Sequence, residues 1–177
     1  MGDNLGDLKN HPQGHSHPQN VPGALNVDEE SLRLDMQICF PLYAAARLMM
    51  QFYKPYLDPL GLTYPQYLVM LVLWEQDALS VKEIGSRLHL DSATVIQILV
   101  NLEKQSLIER RRVSPKGDGR IVLSYLTKNG RELKKSALGV VQGISCDLGG
   151  DFGEIENLRA PLFKFLHLLQ EKLSSST

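Results

Sequence analysis

Two cysteines, Cys39 and Cys146, are the side chains best suited to redox chemistry in this 177-residue chain. A thiolate attacks peroxides and disulfides, whereas a buried thiol often serves only as a small apolar side chain. The two residues lie far apart in the sequence, so they form neither a CxxC redox pair nor part of a zinc-binding pattern. The helical periodicity around Cys39 by itself favours a structural role there.

A cluster of basic side chains indicates a second kind of chemistry. Residues 100–135 contain ten basic and four acidic side chains, a net charge of +6, although the whole chain has a net charge of −1. One face of the molecule can therefore be cationic and suit the phosphates of nucleic acid. Arg110, Arg111 and Arg112 alternate faces on a predicted strand, so we expect one or two of them to pair with acids or cap the preceding helix.

The basic cluster overlaps a pattern of short helices and strands. Ser80 and Glu83 form an S-x-x-E capping box that begins a short helix, and a second helix is predicted over residues 92–105. Two strands, 107–113 and 121–126, flank a basic loop. This order is typical of a winged helix-turn-helix, in which one helix enters the major groove. The predicted fold class is mainly α with a small β-hairpin wing (α+β).

The second helix of this pair is predicted to have a core face and a DNA face. Apolar residues recur at helical spacing on the core face; they are Val95, Ile98, Leu99 and Leu102. The side chains assigned to DNA are Ser92, Thr94, Gln97 and Asn101 on this helix, with Arg110 and Arg112 on the following strand. His89, in the turn before the helix, is interpreted as a structural histidine, with a phosphate contact as the alternative.

Helical segments on both sides of the DNA-reading unit, residues 63–127, are more apolar than one small domain needs. These dimerisation helices are predicted over residues 28–57 and 128–173, so that the whole domain spans 28–173. Packing against a second copy gives a two-fold dimer that presents two recognition helices to a palindromic site. A frayed tail, 174–177, follows.

Two prolines help to place the helices. Pro41 would fit poorly inside the first helix and is expected to kink it. Pro65 follows Thr63, a predicted N-cap, in the first turn of a helix over residues 64–75. That helix is apolar nearly all round and should be the buried spine of the domain.

The first 27 residues are rich in Gly, Pro, Asn and His, and we expect them to be disordered. His11, His15 and His17 bind metal only weakly at best, since no partner ligand accompanies them at a suitable spacing. We therefore assign no metal and no cofactor. No apolar run is long enough to cross a membrane, and the N-terminus lacks a secretion signal, so we expect a cytoplasmic protein with reduced cysteines.

Several long strings resemble the MarR-type winged-helix regulators, and most closely the branch that senses organic hydroperoxides. They are LDMQICFPLY at 34–43, LTYPQYLVMLVLWE at 62–75, SVKEIGSRLHLDSATV at 80–95 and DGR at 118–120. The resemblance covers about residues 34–138. It implies a homodimeric transcriptional repressor that binds a palindromic operator in double-stranded DNA. Oxidation by an organic hydroperoxide would then derepress peroxide-detoxification genes.

The resemblance also implies a sensor site. The branch's sensor cysteine maps to Cys39, and two tyrosines that hydrogen-bond its sulfur map to Tyr53 and Tyr64; phenol donors favour the thiolate. Cys39 and Tyr53 are fourteen residues apart, about 21 Å along a helix, so Tyr53 would have to come from the partner subunit. Some members trap the sulfenic acid in an intersubunit disulfide with a cysteine near Cys146. An unrelated thiol at a helix end is the alternative for that residue.

The wing and the recognition helix agree with the branch to different degrees. Its minor-groove arginine and the aspartate that steadies it map to Arg120 and Asp118, with Lys116 in the same loop. Asp118-Gly119 also favours an ordinary hairpin turn, and both interpretations can be true. The recognition helix has Ile96-Gln97 where members usually have Thr-Pro, and Val100-Asn101 where they have a basic pair. Either the operator differs, or DNA affinity depends more on the wing and the arginines before it.

Two other functions remain open at this point. One is a repressor of the same fold that responds to a small apolar or phenolic ligand, with Cys39 structural. The other is a thiol peroxidase, for which the sequence offers one cysteine and nothing else that is typical of a peroxidase site.

Overall fold

The computed structural model describes residues 28–113, 121–149 and 152–175. By its internal contacts the chain divides into two compact units, Met1–Tyr43 and Ala44–Thr177, and the division falls within the first α-helix. The predicted tail, 1–27, lies outside the described residues.

The described part of the first unit begins with two short 3-10 helices, Glu29–Leu32 and Leu34–Met36. Arg33, between them, has an extended backbone (φ −65°, ψ 143°), which interrupts helical hydrogen bonding. Helix α1, Cys39–Leu57, then begins at Cys39. The prediction of one continuous helix from residue 28 is therefore wrong. Pro41 lies in the first turn of α1, where its missing N–H has no helical partner to lose, rather than in the helix interior.

The second unit contains the remainder of α1, the other α-helices and a small sheet. The helices are α1 (Cys39–Leu57), α2 (Tyr64–Glu75), α3 (Val81–Leu88), α4 (Ser92–Lys104), α5 (Lys128–Asp147) and α6 (Phe152–Ser174), with a 3-10 turn at Asp58–Leu60. The strands are β1 (Leu79–Ser80), β2 (Ile108–Val113) and β3 (Ile121–Leu126).

Local sequence signals set most helix starts. Thr63 and Ser80 both form capping boxes, which confirms the predicted starts of α2 and α3. The Asp91 carboxylate caps α4 by accepting from the backbone N–H of Thr94, and Thr127 begins α5 in the same way. The helix-turn-helix pair is thus placed as the sequence predicts.

The sheet has the order β1-β3-β2 and is antiparallel throughout. Strands β2 and β3 pair from Ile108↔Leu126 to Val113↔Ile121, as expected for a wing. Strand β1 is two residues long and too short for a sequence pattern to reveal. The Asp77 carboxylate stabilises the edge, because its Oδ1 accepts from the backbone N–H of Ala78 at 2.9 Å and of Leu126 at 2.8 Å.

The hydrophobic core lies among α2, α3, α4 and the sheet. Side chains that are at most 1% exposed include Val69, Met70, Ile84, Val95, Leu99, Leu102 and Ile108. Helix α2 is buried as predicted, and the core face of α4 carries the four residues expected there. Within the described residues, no helix is both long enough and apolar enough to span a membrane.

Candidate redox site and nucleic-acid interface

Both cysteines are exposed, reduced thiols. Cys39 is the first residue of α1 and lies in the first unit, whereas Cys146 is next to last in α5 and lies in the second. The sequence-predicted partners of Cys39, Tyr53 and Tyr64, also lie in the second unit. The surroundings of the Cys39 thiol and those of the two phenols are therefore described separately.

Tyr53 and Tyr64 are brought together as an edge-to-face pair with ring centroids 5.0 Å apart. Burial raises the pKa of both phenols, and the neighbouring Tyr64 raises that of Tyr53 further. Both therefore remain protonated hydrogen-bond donors at neutral pH, which is the state that can stabilise a thiolate. This pairing joins α1 to the start of α2.

A third phenol, Tyr67, belongs to the same cluster and was missed by sequence reasoning. Its ring lies 6.1 Å from that of Tyr53, and only 3% of the residue is exposed. Burial and the two neighbouring tyrosines raise its pKa. The signal for it was its position three residues after Tyr64, which places both on one face of α2.

Cys146 has a neighbour that no sequence pattern indicated. Tyr56 of α1 donates a hydrogen bond to the carboxylate of Asp147, the residue after Cys146. That hydrogen bond is the main cause of a raised Tyr56 pKa, followed by burial and by the electrostatic effects of Asp147 and Cys146. The two partners are 91 residues apart, so tertiary structure alone brings them together.

The predicted DNA face of α4 is polar and open. Ser92, Thr94 and Gln97 are exposed, whereas Asn101 is half-buried. A shallow groove runs from these side chains to the start of α2, where Thr63 and its neighbours form the other wall. The Thr94 hydroxyl donates to Asp91 at 2.7 Å and so supports the cap of α4.

The three consecutive arginines have different surroundings. Arg110 is held by Glu103 of α4: its backbone N–H and Nε donate at 3.0 and 2.9 Å. These contacts lower the pKa of Glu103, mainly through the side-chain hydrogen bond. Arg111 pairs with Glu109 and lies over the Tyr125 ring, 5.1 Å from its centroid. The prediction that one or two of them pair with acids is confirmed.

Arg112 is exposed, and no described residue forms an ion pair with it. It is therefore the arginine of the three best placed to meet a phosphate. The wing residues Lys116, Asp118 and Arg120 lie outside the described residues, as do His11, His15 and His17.

His89 closes α3 in a left-handed conformation (φ 54°), and its ring contacts the Gln170 side chain of α6 at 3.1 Å. This agrees with the structural interpretation of that histidine. Among the described residues, no group of three His, Cys, Asp or Glu is arranged to hold a metal ion.

Helix α3, a three-residue connection, helix α4 and the β2–β3 hairpin together define a winged helix-turn-helix protein. A family model described as "Transcriptional regulator SarA/Rot" matches residues 51–137. The organic hydroperoxide resistance transcriptional regulator of Bacillus subtilis is 42% identical over 146 residues, which cover 81% of this chain and 96% of that protein.

Solved structures agree with this similarity. Reduced AbfR bound to DNA has a TM-score of 0.69 and 33% identity, covering 82% of this chain and 98% of that one. Disulfide-formed AbfR has a TM-score of 0.54 and 36% identity, covering 76% and 96%. AbfR is a protein of Staphylococcus epidermidis. The chain belongs to the MarR/SarA-type family of winged-helix transcriptional regulators.

Proposed function

We propose that this regulator is a thiol-based repressor that senses organic hydroperoxides through Cys39. The observation that carries the proposal is the packed phenol pair Tyr53–Tyr64, held protonated at the positions expected for a sensor site. The similarity to the organic hydroperoxide resistance regulator of B. subtilis supports the same signal, and the similar protein AbfR has been solved both bound to DNA and in a disulfide form.

The sensing chemistry proceeds in two steps. The Cys39 thiolate attacks one oxygen of the hydroperoxide, the S–O bond forms as the O–O bond breaks, and the alcohol leaves after taking up a proton. Sulfur is oxidised to sulfenic acid, and the peroxide is reduced. The Cys146 thiolate of the second subunit then attacks the sulfenic sulfur, and the hydroxyl leaves as water while the disulfide forms.

The reduced protein is proposed to bind a palindromic operator as a homodimer. The exposed residues of α4 reach base edges, and Arg112 with the wing meets the phosphates or minor groove. The assigned DNA contacts are Ser92, Thr94, Gln97, Asn101, Arg110, Arg112, Lys116, Asp118 and Arg120. Because Arg110 is already paired with Glu103, Arg112 contributes the larger share of the two.

Oxidation is proposed to release the operator by moving helices at the subunit interface, which changes the spacing of the two α4 helices. A coupling free energy of about 1–3 kcal/mol lowers operator affinity 5- to 150-fold, enough to derepress peroxide-detoxification genes. No turnover is required, so peroxide is consumed stoichiometrically.

The test compares operator binding by wild type, Cys39→Ser and Cys146→Ser, each with and without cumene hydroperoxide. Wild type should lose affinity on oxidation, Cys39→Ser should bind DNA and ignore peroxide, and Cys146→Ser should form sulfenic acid without the intersubunit crosslink. If Cys39→Ser still releases DNA in peroxide, Cys39 is not the sensor.

The same variants separate the alternatives. A repressor controlled by a small apolar or phenolic ligand would release DNA with that ligand equally in wild type and Cys39→Ser. A thiol peroxidase would consume many equivalents of peroxide per Cys39 when a thiol reductant is supplied.

A further inference from the structure

Two contacts fix the last turn of α5 to helix α1. The Tyr56 hydroxyl donates to Oδ2 of Asp147, the residue that follows Cys146. The Tyr56 ring also lies against Gly143, so closely that a Cβ at that position would be 2.5 Å from ring carbon Cε1. Phe52, one turn earlier on α1, packs against the same ring with centroids 6.1 Å apart. The glycine therefore provides the space in which the tyrosine meets the helix end.

The last turn of α5 needs this contact for electrostatic reasons. A helix C-terminus carries a partial negative charge, and an acidic side chain there is unfavourable. Asp147 is such a side chain, and the last turn of α5 contains no basic residue to offset it. The phenolic hydrogen bond compensates the carboxylate, and the raised pKa of Tyr56 keeps the donor protonated. Without this donor the turn that carries Cys146 should fray.

We propose that Tyr56 is a positioning residue that latches the Cys146 turn in the reduced protein and slows its entry into the disulfide. This rests on the proposed function, because it assigns a control to the second step of that chemistry. The latch comprises Tyr56, Asp147 and Gly143.

The latch acts on disulfide formation because that step has strict geometry. The two Cα atoms must come within about 4.4–6.8 Å and the two Cβ atoms within about 3.5–4.5 Å. A Cys146 held in a regular helical turn samples few positions, whereas a frayed turn samples many. The Cys146 thiolate can therefore attack the Cys39 sulfenic sulfur, with loss of water, only after the last turn of α5 has opened. The first step, at Cys39, does not involve the latch.

The first experiment removes the hydroxyl with Tyr56→Phe and uses Tyr125→Phe, on β3, as the matched control. Sulfenic acid formation is timed with a dimedone-type probe in the Cys146→Ser background, and disulfide formation is timed on non-reducing gels with Cys146 present. Tyr56→Phe should leave the first rate unchanged and accelerate the second about tenfold, the factor expected for losing a hydrogen bond to a charged group. Tyr125→Phe should change neither rate.

A second variant reaches the latch from the other side. Gly143→Ala places a methyl group where the Tyr56 ring lies, so the ring must move although its hydroxyl is retained. It should also accelerate the second step. Gly139→Ala, with no atom within 4 Å of the added Cβ, is its control. Alanine stabilises a helix relative to glycine, so helix propensity alone would reduce fraying and slow the second step. A faster second step in Gly143→Ala must therefore come from displacement of the Tyr56 ring.

A third readout follows the latch without any disulfide. The backbone N–H of Leu148 donates to the carbonyl of Ile144 at 3.0 Å, and that of Gly149 to the carbonyl of Cys146 at 3.3 Å. Hydrogen exchange at these two amides in the reduced protein should be faster in Tyr56→Phe than in Tyr125→Phe.

The outcomes distinguish the latch from the function on which it rests. If wild type forms no intersubunit disulfide, the proposed second step is wrong, and so is the latch's control of it. If wild type forms the disulfide but Tyr56→Phe forms it at the same rate or more slowly, the latch is overturned and the sensor stands. Faster disulfide formation together with faster amide exchange supports the latch.

Discussion

The DNA-reading unit and the flanking helices α1, α5 and α6 differ in how completely one chain buries their apolar side chains. In the reading unit, Leu99 and Leu102 of α4 are fully buried. In contrast, Leu48 of α1, Leu138 of α5 and Leu158 of α6 are 60–68% exposed. The reading unit therefore buries its apolar core within a single chain, whereas the flanking helices retain apolar surface that suits a second copy.

This difference in burial indicates which part of the molecule can rearrange when a signal is received. A close-packed core resists small rearrangements, so the reading unit should move as a rigid body. Helices held together across an interface can repack with a smaller free-energy cost, and the proposed chemistry at Cys39 and Cys146 would take place on two of the flanking helices, α1 and α5. Under the proposed function, oxidation would change the spacing of the two α4 helices of the dimer without unfolding the reading unit.

The largest expected effect comes from truncating one leucine in each region. Leu99→Ala removes a fully buried side chain and should lower the free energy of unfolding by about 2–5 kcal/mol. Leu48→Ala removes a side chain that is 63% exposed and should change the stability of one chain by less than about 0.5 kcal/mol.

Thermal unfolding at several protein concentrations measures both effects. If Leu48 lies in the dimer interface, its variant should be less stable than wild type mainly at protein concentrations high enough for wild type to form the dimer. A Leu48→Ala protein as unstable as Leu99→Ala at every concentration would contradict the comparison.

Two glycines provide an intermediate effect. A Cβ at Gly85, in α3, would lie 2.7 Å from the backbone oxygen of Leu90, so Gly85→Ala must shift the turn between α3 and α4. We expect a loss of about 1–3 kcal/mol and weaker operator binding. Gly139→Ala, on α5, meets no atom within 4 Å and should stabilise the helix by up to about 1 kcal/mol. Urea unfolding and DNA titration measure the stability and operator affinity of both variants. If the two variants changed these quantities equally, the distinction between the two regions would be contradicted.

The smallest effect concerns the ion pair that joins α4 to β2. Hydrogen bonding by Arg110 lowers the pKa of Glu103 below its ordinary value of 4.5. The stabilisation is therefore complete well above pH 4.5 and is lost as pH falls through the lower folded-state pKa. Both side chains are partly exposed, so the contribution should not exceed about 1 kcal/mol.

Urea unfolding of wild type and Glu103→Gln from neutral pH down to acid tests this ion pair. Glu103→Gln should be less stable at neutral pH and should lose less stability on acidification. If the variant showed the same pH dependence as wild type, the ion pair would contribute nothing measurable to the stability of the reading unit.

The reading unit was largely predictable because its signals are local. The capping residues Thr63, Ser80 and Asp91 lie within three residues of the groups that they bind, and the apolar spacing of α4 fixes its buried face. The region before α1 was predicted wrongly for the converse reason. Its apolar spacing is helical, but the extended backbone at Arg33 interrupts the helix, and periodicity carries no information about such a break.

By itself the sequence determined the family resemblance, the helix-turn-helix, the buried spine α2 and the candidate sensor residues, because each depends on residue types at short spacings. Tertiary structure decided that Arg110 pairs with a helix, which phenols share a cluster and which residue contacts the end of α5. These contacts join side chains on different helices and strands, as Arg110 of β2 and Glu103 of α4, or Tyr56 of α1 and Asp147 of α5. Only the packing of whole helices brings such groups within hydrogen-bonding distance.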